Sequence, residues 1–60
     1  DFIKLCQLLK LAGLVSSGVE AKIVINEGEV LYNGEVEFRR GKKVYKGDTV
    51  EFDNEIIKVI

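Results

Sequence analysis

The sequence predicts an α+β fold: two N-terminal helices packed on a small antiparallel β-sheet. Three features of the pattern predict it. Apolar residues recur at three- and four-residue spacing near the start. A serine-to-glutamate capping signature opens a second such segment at Ser17. Beyond Gly28 the apolar period drops to two, the period of a strand.

The first helix is expected near residues 2–12. Phe2, Leu5, Leu9 and Ala12 share a stripe with Leu8 beside it, while Lys4, Gln7 and Lys10 fall on other faces. Asp1 is placed to cap its start, and Gly13 to end it in the left-handed conformation that glycine adopts without strain. The second helix starts from the box Ser17-Gly18-Val19-Glu20, carries Ala21, Val24 and Ile25 on one side, and stops at Gly28. The short connection between them requires the helices to pack together. Val30 and Tyr32 then alternate with Glu29 and Leu31, and Val36 and Phe38 with Glu35 and Glu37. Asn33-Gly34 lies between these runs, and that dipeptide suits a hairpin whose two turn residues both need positive φ. Turns at Lys46-Gly47-Asp48 and Asp53-Asn54 separate a strand over 49–52 from a last strand over 55–60.

Sixty residues allow one domain, spanning 1–60. A chain of this size buries only roughly 60% of its extended surface, which leaves no interior for a deep active site or a cofactor. No apolar run approaches the ~20 residues that span a bilayer, and no secretory leader is visible, so a cytoplasmic location is expected. The single cysteine, Cys6, excludes an internal disulfide and reads as a small buried apolar side chain. With no histidine and one cysteine, neither a zinc site nor histidine acid–base catalysis is expected. The carboxylate pairs Glu35/Glu37 and Asp53/Glu55 each share a strand face, but without a pocket they read as solvated.

Charge is the informative property. The net charge of −1 conceals a segregated distribution: Arg39, Arg40, Lys42, Lys43 and Lys46 bring five positive charges to 39–46, where no acid occurs. The remainder of the chain holds all ten acids and four lysines. Like charges so grouped repel on folding, and a polyanion partner explains their retention. Arginine forks and lysine point charges match phosphate oxygens, and Gly41 lets a ligand approach the backbone. The competing structural reading is a solvated loop whose charge protects a sheet edge. A second anion site is conceivable at the backbone N–H groups of Ser16, Ser17 and Gly18, although Glu20 competes for the same donors. Tyr32 and Tyr45 could stack on unpaired bases. Core packing suits Tyr32 better, whereas Tyr45 sits among lysines.

A set of short motifs in one register adds to this. They are Lys4-Leu5-x-x-x-Leu9-x-x-x-Gly13-x-x-Ser16-x-x-x-x-Ala21-Lys22, Ile25-x-x-Gly28-x-Val30-x-x-Asn33-Gly34, and Gly47-Asp48-x-Val50. Together they resemble the S4 RNA-binding domain over Lys4 to Phe52, and most of all its small stand-alone bacterial members. The resemblance implies an αL-type fold and binding of structured RNA, ribosomal or transfer RNA, without catalysis, cofactor or small-molecule substrate. It implies an RNA face built from Lys4, Ser16, Ser17, Lys22 and Asn33. There are two departures: Gly18 stands where the family has an arginine after the serine, and Cys6 where it has an aspartate. The loop cations Arg39, Arg40, Lys42 and Lys43 are expected to restore the lost charge, with Lys46 a further RNA contact beside them.

The leading expectation is therefore a monomeric, non-enzymatic RNA-binding module. Five phosphate contacts would give a salt dependence of about −3.5 to −4.5 in log affinity against log salt. The alternatives are a protein-interaction module docking an acidic surface, and the RNA-reading part of a larger enzyme.

Overall fold

Local hydrogen bonding sets the C-terminal end of both helices. The computed structural model describes all 60 residues. In chain order the elements are β1 (Phe2–Lys4), α1 (Leu5–Leu11), α2 (Gly18–Asn26), β2 (Leu31–Tyr32), β3 (Glu35–Val36), β4 (Lys43–Tyr45), β5 (Thr49–Phe52) and β6 (Glu55–Lys58). Both helices end in a Schellman motif. Gly13 (φ +78°) and Gly28 (φ +77°) take the left-handed position. The next residue closes each motif, Leu14 N–H donating to Leu9 C=O at 3.0 Å and Glu29 N–H to Val24 C=O at 3.1 Å. At Gly28 a side chain would also meet the Phe38 ring, 3.3 Å from an ideal Cβ, so the position needs glycine twice over.

Six strands form two sheets. β2, β3, β5 and β6 make a four-stranded antiparallel sheet in the order β3-β2-β5-β6. Asn33 (φ 50°) and Gly34 (φ +88°) form the β2–β3 turn, and Asp53 and Asn54 the β5–β6 turn, all with positive φ. The second sheet is a separate two-stranded ribbon, β1 with β4.

That ribbon corrects the expected first helix. Phe2–Lys4 is extended rather than helical, and the helix begins at Leu5 with Lys4, not Asp1, at its cap. The physical reason is non-local: β4 offers an unpaired edge, and three residues pair with it in the register Phe2↔Tyr45, Ile3↔Val44, Lys4↔Lys43. The apolar stripe shifts accordingly. Leu5, Leu8 and Leu9 are buried, whereas Phe2 and Ala12 are exposed.

The core gathers Leu5, Leu8, Leu9, Val15, Ala21, Val24, Ile25, Val30, Val44 and Val50, and no polar side chain is buried. Cys6, expected to be buried, instead packs half-buried against this core. Val44 carries the ribbon into this core from its inner face. No helix is long and apolar enough to cross a membrane.

Candidate nucleic-acid interface

The basic segment 39–43 connects β3 to β4 and is tied to the start of α1 through the main chain. A helix leaves its first N–H groups without partners inside the helix. Here Leu5 N–H donates to the Lys42 carbonyl at 2.9 Å and Cys6 N–H to the Arg40 carbonyl at 3.1 Å. Lys42 N–H closes a turn onto the Arg39 carbonyl at 3.2 Å. The helix therefore caps itself with the basic loop, and the same bonds that satisfy its donors fix the loop beside Lys4.

The β1–β4 ribbon then decides which side chains face water together. Side chains directly opposite in an antiparallel pair lie on one face, and alternate residues share it. Phe2, Lys4, Lys43 and Tyr45 are thus on the outer face, all exposed, with Ile3 and buried Val44 on the inner one. Lys4 and Lys43 are directly opposed, an arrangement that like charges disfavour. Neither makes an ion pair, because the only salt bridge in the molecule joins Arg39 and Glu37. Arg39, Gly41, Lys42, Lys43 and Tyr45 line an open depression of about 510 Å³ beside this face.

Arg39 is the exception among the loop cations. Its Nε donates to Glu37 Oε2 at 2.9 Å, its Nη2 to Oε1 at 3.3 Å, and its backbone N–H to Oε2 at 3.1 Å. The side-chain bond from Arg39 holds the Glu37 carboxyl below its ordinary range, and the same bond pushes the guanidinium up. Glu37 had a readable signal, since residues two apart on an extended chain share a face. Lys42 is partly engaged as well, with its Nζ 4.9 Å from the centroid of the Tyr32 ring.

Other expected residues lie elsewhere or serve the fold. Ser17 Oγ accepts from Glu20 N–H at 3.1 Å, the cap that its position predicts. Glu20 reaches back one residue further than a standard capping box, accepting from both the N–H and the hydroxyl of Ser16 at 2.8 Å each. Those bonds, the backbone one foremost, lower the pKa of Glu20. The start of α2 thus holds its own carboxylate where an anion would sit. Lys22 is exposed on α2 beside buried Ala21. Lys46 lines a different, mostly apolar depression with Phe2, Ile3, Val44 and Val59.

Asn33 joins the hairpin to β5. Its Oδ1 accepts from Thr49 N–H at 2.8 Å, and its Nδ2 donates to Asp48 Oδ1 at 3.2 Å. Asp48 is the hub that the sequence did not reveal. Its Oδ2 accepts from the Tyr32 hydroxyl at 2.6 Å and from Tyr45 N–H at 2.8 Å. The Tyr32 bond dominates in lowering the Asp48 pKa and in raising that of Tyr32. The Asn-Gly and Gly-Asp motifs, far apart in the chain, are two halves of one clamp.

Comparison with known proteins matches this arrangement. The chain is 45% identical over 58 residues to YbcJ of Escherichia coli K12, an alignment covering 97% of this chain and 83% of that one. It is 49% identical over 53 residues to the Bacillus subtilis "probable ribosome maturation protein RlbA", covering 88% of this chain and 75% of that one. The solution structure of YbcJ, described as revealing an αL motif involved in RNA binding, superposes with a TM-score of 0.71 over 95% of this chain and 72% of its own. The trimeric Heat Shock Protein 15 of Vibrio cholerae, at 23% identity, shares the fold with a TM-score of 0.81 over the whole chain and 66% of its own length. The S4 domain family model matches residues 1–60. With its helices, sheets and short motifs in that register, the chain belongs to the S4 domain family.

Proposed function

We propose that the chain is a non-enzymatic RNA-binding module that grips the phosphate backbone of structured RNA with Lys4, Arg40, Lys42 and Lys43. The observation carrying this reading is the Lys4–Lys43 pair, two cations held opposite one another without a carboxylate partner. A folded chain with marginal stability tolerates such repulsion where an anion relieves it. Phosphates supply affinity and helical shape supplies selectivity. The description of YbcJ supports RNA as the partner, and the name of RlbA favours ribosomal RNA over transfer RNA as the target. The module acts as a monomer in the cytoplasm. Under this reading Ser16, Ser17 and Asn33 act through the fold, while Lys22 and Lys46 contribute long-range field only.

With Arg39 neutralised by Glu37 and Lys46 lining a different depression, Lys4 joins Arg40, Lys42 and Lys43, so four cations release counterions. Log affinity for a ribosomal RNA fragment falls with log salt at a slope of about −2.8 to −3.6. Fluorescence anisotropy across salt concentrations measures it. Replacing Lys4, Arg40, Lys42 and Lys43 together by alanine flattens the slope to near zero. A flat response in the unmodified chain, or an unchanged slope in the fourfold variant, refutes the reading.

A further inference from the structure

We propose that Tyr45, with Phe2 beside it, is a stacking platform for an unpaired nucleobase, placed among the cations that hold the flanking phosphates. The inference rests on the RNA-binding reading above and deepens it. The bound RNA carries a loop, bulge or free end at this site, not duplex alone.

The two tyrosines differ in the way this requires. Tyr32 is half-buried against the core, and its hydroxyl donates to Asp48 at 2.6 Å. Tyr45 is 47% exposed, and its hydroxyl bonds to nothing in the protein. Its backbone alone is used in the turn, the N–H donating to Asp48 Oδ2 at 2.8 Å and the carbonyl accepting from Asp48 N–H at 3.0 Å. The strand is held by its neighbour Val44, which is buried, so the Tyr45 ring is not needed to anchor it. Phe2, its cross-strand partner, is 48% exposed. The two rings are 6.1 Å apart, tilted by 56°, and Lys43 Nζ lies 4.9 Å from the Phe2 centroid.

Position matters as much as exposure. Tyr45 is the one aromatic residue lining the depression whose other walls are Arg39, Gly41, Lys42 and Lys43. A planar ring walled by phosphate-binding side chains matches a nucleotide, which presents a flat π-face and a phosphate to either side. Proteins that bind single strands combine these same two elements, and stacking tolerates any base. A base inside an A-form helix has both faces covered by its neighbours, so only an unpaired one can lie on the ring. Gly41 leaves room for the sugar–phosphate chain, since no atom lies within 4 Å of where its Cβ would stand.

A cross-strand aromatic pair can also steady a ribbon, so the test separates the two roles by RNA and not by stability. The probes are an RNA hairpin with an unpaired loop containing 2-aminopurine, and a fully paired duplex with the same number of phosphates. The unmodified chain binds the hairpin more tightly and quenches 2-aminopurine as the base stacks. Tyr45→Leu weakens hairpin binding by about ten-fold, abolishes the quenching and leaves duplex binding as it was. Tyr45→Phe restores both signals, because stacking uses the ring and not the hydroxyl. If Tyr45→Leu does not fold, Phe2→Leu carries the same comparison at the partner ring. Equal affinity of the unmodified chain for the two probes overturns the platform, as does a variant that weakens both alike or neither. Failure of both probes to bind overturns the RNA-binding reading, and the platform with it.

Discussion

Helices α1 and α2 begin with the same need for hydrogen-bond acceptors, and the chain meets it with opposite charge. At α1 the acceptors are the carbonyls of Arg40 and Lys42, so capping brings cations to the helix start. At α2 the acceptor is the Ser17 hydroxyl, and Glu20 folds back onto Ser16, so capping brings a carboxylate. Orphan N–H groups are satisfied in both cases. The partner chosen determines whether the surrounding surface attracts or repels a phosphate. A helix N-terminus read from sequence is therefore not a binding site until its capping partner is known.

The sharpest way to break this contrast is to reverse the charge at α1. Arg40→Glu with Lys43→Glu replaces two attractions by two repulsions and lowers RNA affinity by at least about 100-fold at low salt. Both side chains are exposed, and their backbone bonds remain, so thermal unfolding changes little. Retained binding would show that the RNA approaches from another side. A second large effect concerns the clamp that orients β4. Asn33→Ala loses the bond to Thr49 N–H and puts a Cβ-bearing residue with no local hydrogen bond at φ 50°. Its expected destabilisation is about 2 kcal/mol, read by chemical or thermal unfolding. A change below a few tenths would mean that Asp48 holds the clamp alone.

What the sequence revealed follows the range of the interactions involved. The two helix-ending glycines, the Ser17 cap, the Asn33-Gly34 turn and the strand over 49–52 are written in neighbouring residues and appear in the structure, as does the last strand, expected over 55–60 and ending at Lys58. β1 was illegible because Phe2, Leu5 and Leu9 fit a helix as well as anything local can show. Its pairing partner lies some forty positions away. The Asn33–Asp48 contact was hidden for the same reason, each residue seeming to serve only its own turn. The neutralisation of Arg39 by Glu37 is a different case. The two are close in sequence, but counting net charge over a segment that began after Glu37 left the partner out.

The contrast can be sharpened by making α2 resemble α1. Gly18 has no atom within 4 Å of a prospective Cβ and no positive φ, so a longer side chain fits. Gly18→Arg combined with Glu20→Gln supplies the arginine that the S4 pattern expects and removes the competing carboxylate. One new phosphate contact steepens the salt slope by about 0.7 to 0.9 and raises affinity about five-fold near 0.1 M salt. The helix itself gains from the loss of glycine, by up to about 0.8 kcal/mol. An unchanged slope would place α2 outside the contact surface, and then α1 with its loop carries the interface alone.

The smallest effect comes from releasing Arg39. Glu37→Gln removes the ion pair and frees a fifth cation, which raises RNA affinity by about three-fold and steepens the slope by less than one. Acidification does not mimic the substitution in the ordinary range. The Arg39 hydrogen bond holds the folded-state pKa of Glu37 below the ordinary carboxyl value of 4.5. The pair's contribution is therefore fully present above the unfolded pKa and lost only as pH falls through the lower folded value. Glu20 and Asp48 carry the same sign, lowered chiefly by Ser16 and Tyr32 respectively. Glu29, raised mainly by its hydrogen bond with Glu27, has the opposite sign and gains stability as the pH drops through its range. With three depressed carboxyls against one, thermal stability holds from neutrality to about pH 5 and declines below it. Over that plateau the affinity of the unmodified chain stays constant while that of Glu37→Gln stays higher. An affinity that rises between neutrality and pH 5 in the unmodified chain alone would mean that Glu37 loses its charge early, and that Arg39 belongs with the four free cations after all.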